Sequence, residues 1–232
     1  LSFARRAKEA GLHTLYLQFD GVRPQVYLTT RGRDIWHKKL QVVENCRQLD
    51  LKICLVPTII RTVNDDQVGE IFRFAVDNID VISAISYQPV CFTGRIDTEQ
   101  RLQQRYTLGD LARDIAKASG AVVDRDFYPL SIVMPLSQFL ETVTAQPKIK
   151  PSCHTDCAFG SYFLVSDDKQ VYPFPRVLDV EAMFSGMNRL ARQLKPHAGR
   201  LSLLDKMRIY RMFKGVFRPE EAPADLTIKG FM

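Results

Sequence analysis

Short apolar runs alternate with amphipathic stretches in the first half of the chain, as in parallel strands joined by crossover helices. Apolar runs at 14–19, 51–58 and 80–87 predict three buried strands. After the second run, Asn64 and Gln67 have the spacing of a capping box, and apolar residues then recur at helical spacing. The pattern therefore predicts three successive strand and helix units.

The alternation ends near residue 120, and the rest of the chain predicts a different arrangement. Residues 161–165 and 170–174 flank the turn SDDK and predict a hairpin. Residues 20–33 contain two glycines and a proline and predict a loop. Further helices are predicted over 2–10, with Ser2 as the cap, and from a cap at Asp34 to 49, with Ile35, Val42, Cys46 and Leu49 on one side. A helix is also predicted from a capping box at Thr107 and Asp110 to its end at Gly120, and others are predicted over 136–145, 180–194 and 202–213.

Three strand and helix units of this length fit either a doubly wound sheet or part of a β/α barrel. Because the chain starts in the middle of such a unit, an incomplete TIM-like barrel is the simpler expectation. We predict an α/β fold in which residues 1–130 form later strands and helices of the barrel. Residues 131–232 are then a small α+β module with the hairpin and two final helices.

Composition is that of an ordinary soluble domain: 232 residues, 46% hydrophobic and 25% charged, with mean hydropathy −0.13. No apolar run reaches the roughly 18 residues that cross a bilayer. The first residues predict an amphipathic helix rather than a secretory signal, so we expect a cytoplasmic protein. Leu1 is not a translation start, and we expect that the front of a longer protein precedes it.

The formal net charge is +6, and the basic residues are dispersed along the chain. A dispersed pattern favours a solvated surface over a nucleic-acid interface, so we do not expect nucleic acid as a partner. The five cysteines are an odd number without dense spacing, which argues against a secreted disulfide framework.

In both candidate architectures the chemistry gathers at the carboxyl ends of the parallel strands. A carboxylate at Asp20 could accept hydrogen bonds from ribose hydroxyls, although it could equally be a turn residue before Gly21. An arginine such as Arg31 or Arg33 could hold a carboxylate or a phosphate in a bidentate pair. Asn64 could be only a helix cap. The candidate residues at these strand ends are Gln18, Asp20, Pro57, Asn64, Gln88 and Pro89.

The segments LQFDG, RGRD, LVPTIIRTVND, QPVCFTGR and SCHTDCAFGSYFLV, in this order, resemble the later part of a radical SAM enzyme. The resemblance extends over nearly the whole chain and is most specific in VPTI, VND and QPVCFTGR. Within the superfamily, the sequence is similar to the group that contains archaeal tetraether lipid synthase and its uncharacterised relatives. Such enzymes fold as partial β/α barrels and bind S-adenosylmethionine (SAM) on a 4Fe-4S cluster held by a C-x3-C-x2-C loop. That loop is missing from this sequence, and the resemblance places it upstream of Leu1.

The resemblance implies roles for the strand-end residues. Gln18 and Asp20 would lie beside the ribose or the substrate, and Arg31 or Arg33 would bind the methionine carboxylate. Pro57 to Ile59, Gln88 and Pro89 would border the adenine and the cavity above the cluster, and Asn64 would belong to the same cofactor site. The full-length enzyme would use an electron donor such as ferredoxin or flavodoxin, whereas this fragment alone would be inactive.

Cys153 and Cys157 are four residues apart and could ligate one metal centre, since thiolates favour zinc or iron–sulfur clusters. A cubane needs further ligands, for which Cys91 and His154 are the candidates in this chain. With the resemblance, in which auxiliary iron–sulfur centres occur, we predict a metal site at Cys153, Cys157 and Cys91.

Three functions remain open at this point. The resemblance implies hydrogen abstraction from an unactivated carbon by a 5′-deoxyadenosyl radical, with coupling of lipid chains as the specific form. A lipid substrate would bring the enzyme into peripheral contact with a membrane. The first alternative is a radical SAM methyltransferase acting on a pterin-like or other small molecule. The second alternative, from another class, is a basic Cys/His metal module that binds RNA or an acidic partner.

Overall fold

The computed structural model describes residues 1–150, 153–224 and 226. The chain divides into two compact units, Leu1–Asp124 and the part from Arg125 onward. The sequence placed the domain boundary at 130, and that assignment stays a prediction.

The first unit is built on a parallel sheet of three strands, in the order β1 (Thr14–Gln18), β2 (Lys52–Val56) and β4 (Ile82–Ile85). Beyond Pro57, a second parallel pair, β3 and β5, follows β2 and β4 along the chain. The strands are β1 Thr14–Gln18, β2 Lys52–Val56, β3 Thr58–Ile59, β4 Ile82–Ile85 and β5 Gln88–Pro89. The helices are α1 Ser2–Glu9, α2 Pro24–Arg31, α3 Trp36–Gln48, α4 Val68–Asp77, α5 Thr98–Gln104 and α6 Leu108–Ser119.

This organisation confirms the predicted mixed α/β fold with parallel strands and crossover helices. The strands are shorter than predicted. The box at Thr107 is confirmed, because its hydroxyl accepts a hydrogen bond from Asp110 N while the Asp110 carboxylate accepts one from Thr107 N. Gly120 ends α6 in the left-handed conformation, as predicted.

Two local predictions are wrong, and one helix was not predicted. The expected loop over 20–33 contains α2, because Pro24 lies in the first turn and Gly32 ends the helix with φ of 70°. The first helix includes Ser2 and has no side-chain cap. Helix α5 was not predicted, although the Asp97 carboxylate caps it by accepting hydrogen bonds from Glu99 N and Gln100 N. It buries no residue, so it gives no apolar periodicity.

The second unit packs helices around an apolar core of Phe139, Leu178, Met183, Phe184, Met187, Leu190 and Leu194 with their neighbours. The predicted hairpin is confirmed, since Phe163 and Pro173 pair in antiparallel strands β8 and β9. The elements are β6 Tyr128–Pro129, α7 Met134–Thr144, β7 Phe159–Gly160, β8 Phe163–Val165, β9 Val171–Pro173, α8 Phe174–Val177, α9 Val180–Leu194 and α10 Leu203–Val216. In the described part of the chain, no helix has the length and apolar character needed to span a bilayer.

Candidate functional site

Asp20 follows β1 directly after Phe19, and its side chain is fully buried. Its Oδ2 accepts a hydrogen bond from Arg31 Nε at 2.8 Å, and its Oδ1 accepts one from Thr58 N at 3.1 Å. Both carboxylate oxygens are thus engaged inside the chain, and they link the end of β1 to α2 and β3. We name Asp20, Arg31, Thr58 and Asn64 the strand-end network.

Asn64 completes this network across a long stretch of sequence. Its Nδ2 donates to Asp20 O at 2.7 Å and to Thr58 O at 2.8 Å, and its Oδ1 accepts from Ile60 N at 2.8 Å. The interpretation as a capping box is wrong, because neither Asn64 nor Gln67 makes a side-chain cap. The buried amide instead ties two strand ends together, with both of its N–H donors used and its oxygen accepting one hydrogen bond.

Gln67 holds the turn that follows Asp20. Its Oε1 accepts a hydrogen bond from Val22 N at 2.9 Å, and a Cβ added at Gly21 would lie only 2.6 Å from that oxygen. The Tyr27 hydroxyl donates to Gly21 O at 2.8 Å. Burial raises the pKa of Tyr27, so the hydroxyl remains a donor. A side chain at Gly21 would therefore displace the Gln67 amide from its hydrogen bond with Val22 N.

Gln18, the last residue of β1, is the one strand-end side chain with unused hydrogen-bonding capacity among those described above. Its Oε1 accepts from Lys39 Nζ at 2.9 Å, whereas its Nε2 is buried and has no partner among the described residues. Burial lowers the pKa of Lys39, and the Asp20 carboxylate acts in the opposite direction. A buried amide N–H without an acceptor is costly, so this position suits the oxygen of a ligand.

Sequence reasoning missed Lys39 as a site residue. Lys39 precedes Val43 by four residues and Cys46 by seven, and both of these are buried on α3. Helical spacing from the buried residues would have placed Lys39 on the inward face. The predicted apolar face ran through Val42 instead, which is only half-buried.

The remaining predicted residues occupy different surroundings. Arg33 is exposed, and Pro57 is buried with its carbonyl accepting from Gln88 N at 2.8 Å. Gln88 is exposed and Pro89 half-buried, both in β5. The structure thus brings Asp20, Arg31 and Asn64 together and places Gln88 and Pro89 at the end of a neighbouring strand. Contact of these residues with a cofactor stays a prediction.

An open cleft of about 540 Å³ begins at β5 and extends to the start of α6. We call it the β5 cleft, and of its residues only Pro89 and Cys91 were candidate site residues from the sequence. Its walls are Pro89, Val90, Cys91, Phe92, Arg101, Leu102, Arg105, Tyr106, Thr107 and Leu108.

Comparison with known proteins gives the following relatives. A 7,8-dihydro-6-hydroxymethylpterin dimethyltransferase from Methanocaldococcus jannaschii is 39% identical over 183 residues, covering 78% of this chain and 36% of that protein. A GTP 3′,8-cyclase from Nautilia profundicola is 22% identical over 140 residues, covering 57% of this chain and 44% of the relative. A GTP 3′,8-cyclase from Campylobacter jejuni is 26% identical over 142 residues, covering 58% of this chain and 44% of the relative. These relatives support the radical SAM superfamily.

No family model matches the chain. The chain matches less than half the length of each of these relatives. Their names are those of enzymes, and none of the three refers to lipid coupling. The similarity therefore supports a radical SAM enzyme, whereas it gives no support to a tetraether lipid synthase.

The strand-end residues fit the SAM that the superfamily implies. The unpartnered Nε2 of Gln18 is a donor, and the Lys39 ammonium adds positive charge beside it, whereas the Arg31 guanidinium is paired with Asp20. Donors of this kind suit the carboxylate or the hydroxyl oxygens of SAM.

The residues described do not fit the iron–sulfur cluster. The sequence lacks C-x3-C-x2-C, and within the described ranges no three His, Cys, Asp or Glu side chains form a group that could hold a metal. Cys153 is half-buried, Cys157 is exposed, and Cys157 N donates to His154 O in a turn. Cys91 is exposed in the β5 cleft. The metal site at these three cysteines stays a prediction.

Proposed function

We propose that this chain is the later part of the partial β/α barrel of a radical SAM enzyme that methylates a pterin or a similarly small heterocycle. The observation that carries the proposal is the 39% identity to a pterin dimethyltransferase over 78% of the chain. The fold supports it, because three neighbouring parallel strands direct their carboxyl ends to one edge. Methylation, the alternative from the sequence, replaces lipid coupling as the leading function.

In such an enzyme the bound SAM and its cluster supply hydrogen abstraction from an unactivated carbon. The chain's own residues would bind the cofactor and orient it. Gln18 and Lys39 would bind oxygen atoms of the cofactor, while the strand-end network fixes the loop after β1. Because Asp20 and Asn64 are buried and hydrogen-bonded within the chain, they would hold the strand ends of this edge in a fixed arrangement.

The proposal extends to partners of the complete protein. Reduction of the cluster requires an electron donor of the ferredoxin or flavodoxin class, and the substrate is a small molecule rather than a lipid chain.

The test uses the complete protein, reconstituted without oxygen and supplied with a reductant, SAM, 6-hydroxymethyl-7,8-dihydropterin and a one-carbon donor. We expect 5′-deoxyadenosine together with a pterin whose mass rises by one CH2 unit per methylation. Methyl-labelled SAM and a labelled reduced folate, supplied in separate reactions, identify the source of the methyl group. A loaded enzyme that leaves the pterin unchanged under both donors would contradict the proposal.

Matched substrates separate the competing functions. GTP in place of the pterin tests the activity named for the cyclase relatives, and a membrane lipid tests chain coupling, which removes hydrogen atoms instead of adding carbon. A colourless zinc protein with salt-sensitive RNA binding would support the binding module instead.

A further inference from the structure

The β5 cleft combines an apolar wall with two arginines. Pro89, Phe92 and Leu102 contribute apolar surface, and Arg101 and Arg105 are exposed four residues apart. The side chains of both arginines have no ion-pair or hydrogen-bond partner within the described part of the chain. Two unpaired guanidinium groups beside an apolar surface provide the recognition elements for a flat molecule that carries an anionic group.

Two acidic residues of α6 beside the cleft make contacts with other side chains. Asp110 forms ion pairs with Arg61 at 2.8 Å and with Arg113. The Asp114 carboxylate accepts a hydrogen bond from the Tyr106 hydroxyl. Both carboxylates thus make their contacts with other side chains, and the Arg101 and Arg105 guanidinium groups remain available to an anionic group.

The back of the cleft is fixed in position. The Tyr106 ring is almost completely buried, and the Arg61 guanidinium lies 5.7 Å from its centre. Arg61 Nε also donates to Arg105 O at 2.8 Å, which anchors the backbone of one of the two arginines. The backbone at Arg105 and the Tyr106 ring are thus held in place at the back of the cleft.

We propose that the β5 cleft binds the anionic end of a planar heterocyclic ligand, with Arg101 and Arg105 holding a phosphate or carboxylate and the apolar wall holding the ring. The choice of a pterin as this ring rests on the proposed function. The cleft follows β5, at the strand edge that carries the other candidate residues, which is where a substrate would enter a β/α fold.

The test measures binding rather than turnover. Fluorescence titration of the complete protein compares 6-carboxypterin, 6-hydroxymethylpterin pyrophosphate and neutral 6-hydroxymethylpterin, which share one ring system. We expect at least one anionic pterin to bind about tenfold or more tightly than the neutral one, a difference of about 1.4 kcal/mol. Preference for the carboxylate or for the pyrophosphate identifies the anionic group.

Arg101→Gln and Arg105→Gln should each remove most of that preference. The matched control is Arg73→Gln, which alters an exposed arginine of α4 outside the cleft and should leave the preference intact. Equal binding of neutral and anionic pterins, or a preference that persists in both cleft variants, would overturn the proposal.

Cys91 reports the position of the ligand, because its thiol is exposed in the cleft. Alkylation by the neutral reagent iodoacetamide, followed by mass spectrometry of the Cys91 peptide, should slow about fivefold or more when the anionic pterin is bound. Binding with unchanged alkylation would place the ligand elsewhere and overturn the assignment. Neither readout requires catalysis, so failure to methylate a pterin and failure to bind in this cleft are separate results.

Discussion

The strand-end network and the β5 cleft both follow parallel strands, yet they use their polar groups in opposite ways. In the network, Asp20 and Asn64 are fully buried and their polar atoms are engaged within the chain. In the cleft, Arg101 and Arg105 are exposed with no partner in the described part of the chain. A polar residue at a strand end is therefore not by itself a ligand contact. Such a residue supports the structure when its polar atoms are hydrogen-bonded within the chain. It is available to a ligand when those atoms have no partner.

Gln18 combines both situations, because one polar atom of its amide has a partner and the other has none among the described residues. One end of its amide accepts from Lys39, and the other end is buried without a partner. Its unpartnered N–H is the group near the network left for a cofactor, whereas the Asp20 carboxylate is fully buried and accepts hydrogen bonds from Arg31 and Thr58.

The largest expected effect comes from removing the buried carboxylate. Asp20→Ala leaves Thr58 N without its acceptor and Arg31 without its counter-ion, so we expect a loss of about 3 kcal/mol in the free energy of unfolding. Urea unfolding of the 232-residue chain, followed by Trp36 fluorescence, measures it. Trp36 is the only tryptophan, and its ring centre lies 5.6 Å from that of Phe19, next to Asp20.

The matched control is Asp66→Ala, which removes an exposed carboxylate paired with Arg23 at 2.7 Å. Because exposed pairs contribute little, we expect about 0.5 kcal/mol or less. Similar losses for the two variants would contradict the structural role of Asp20.

Local signals predicted the parts of this fold that depend on local contacts. The box at Thr107 and Asp110 joins residues three apart, and the face of α4 repeats at helical spacing, so both are visible in the sequence. Helix α2 was missed although its proline and glycine mark a helix start and stop, because they were weighed only as loop formers.

The sequence pattern located Asp20 and Asn64 near strand ends, but it did not reveal the hydrogen bond that joins them. Asn64 bonds to Asp20 across 44 residues of sequence, and no local pattern distinguishes that from a helix cap. The cleft arginines depend on α5, which buries nothing and so leaves no periodic signal. Sequence patterns do not predict long-range hydrogen bonds or exposed helices, because neither leaves a local periodic signal.

A smaller effect is expected at the edge of the β5 cleft, where Asp110 supports the start of α6. Partial burial acts to raise the pKa of Asp110, but hydrogen bonds from Thr107 and the guanidinium groups of Arg113 and Arg61 outweigh it and lower the pKa to about 2. The folded-state pKa lies below the ordinary value of 3.8, so this stabilisation is present above pH 4 and is lost as the pH falls toward 2.

Asp110→Asn should therefore cost about 2 kcal/mol at pH 7, with the deficit shrinking between pH 4 and pH 2. Urea unfolding of wild type and variant across this range measures the difference. Thr107→Ala, which removes the hydroxyl bound to Asp110, should move the acid-induced loss to higher pH. A deficit that stays constant down to pH 2 would contradict this account.

Replacing the two cleft arginines is expected to have the smallest effect on the free energy of unfolding, in contrast to replacing Asp20. Because neither side chain has a partner in the described part of the chain, the double variant Arg101→Gln, Arg105→Gln should unfold within about 0.5 kcal/mol of wild type. The same urea series with Trp36 fluorescence measures it. A loss near that of Asp20→Ala would mean that the two arginines support the fold. An unchanged midpoint would leave them free for a ligand, since exposed charges that do not stabilise the protein can change binding without changing the fold.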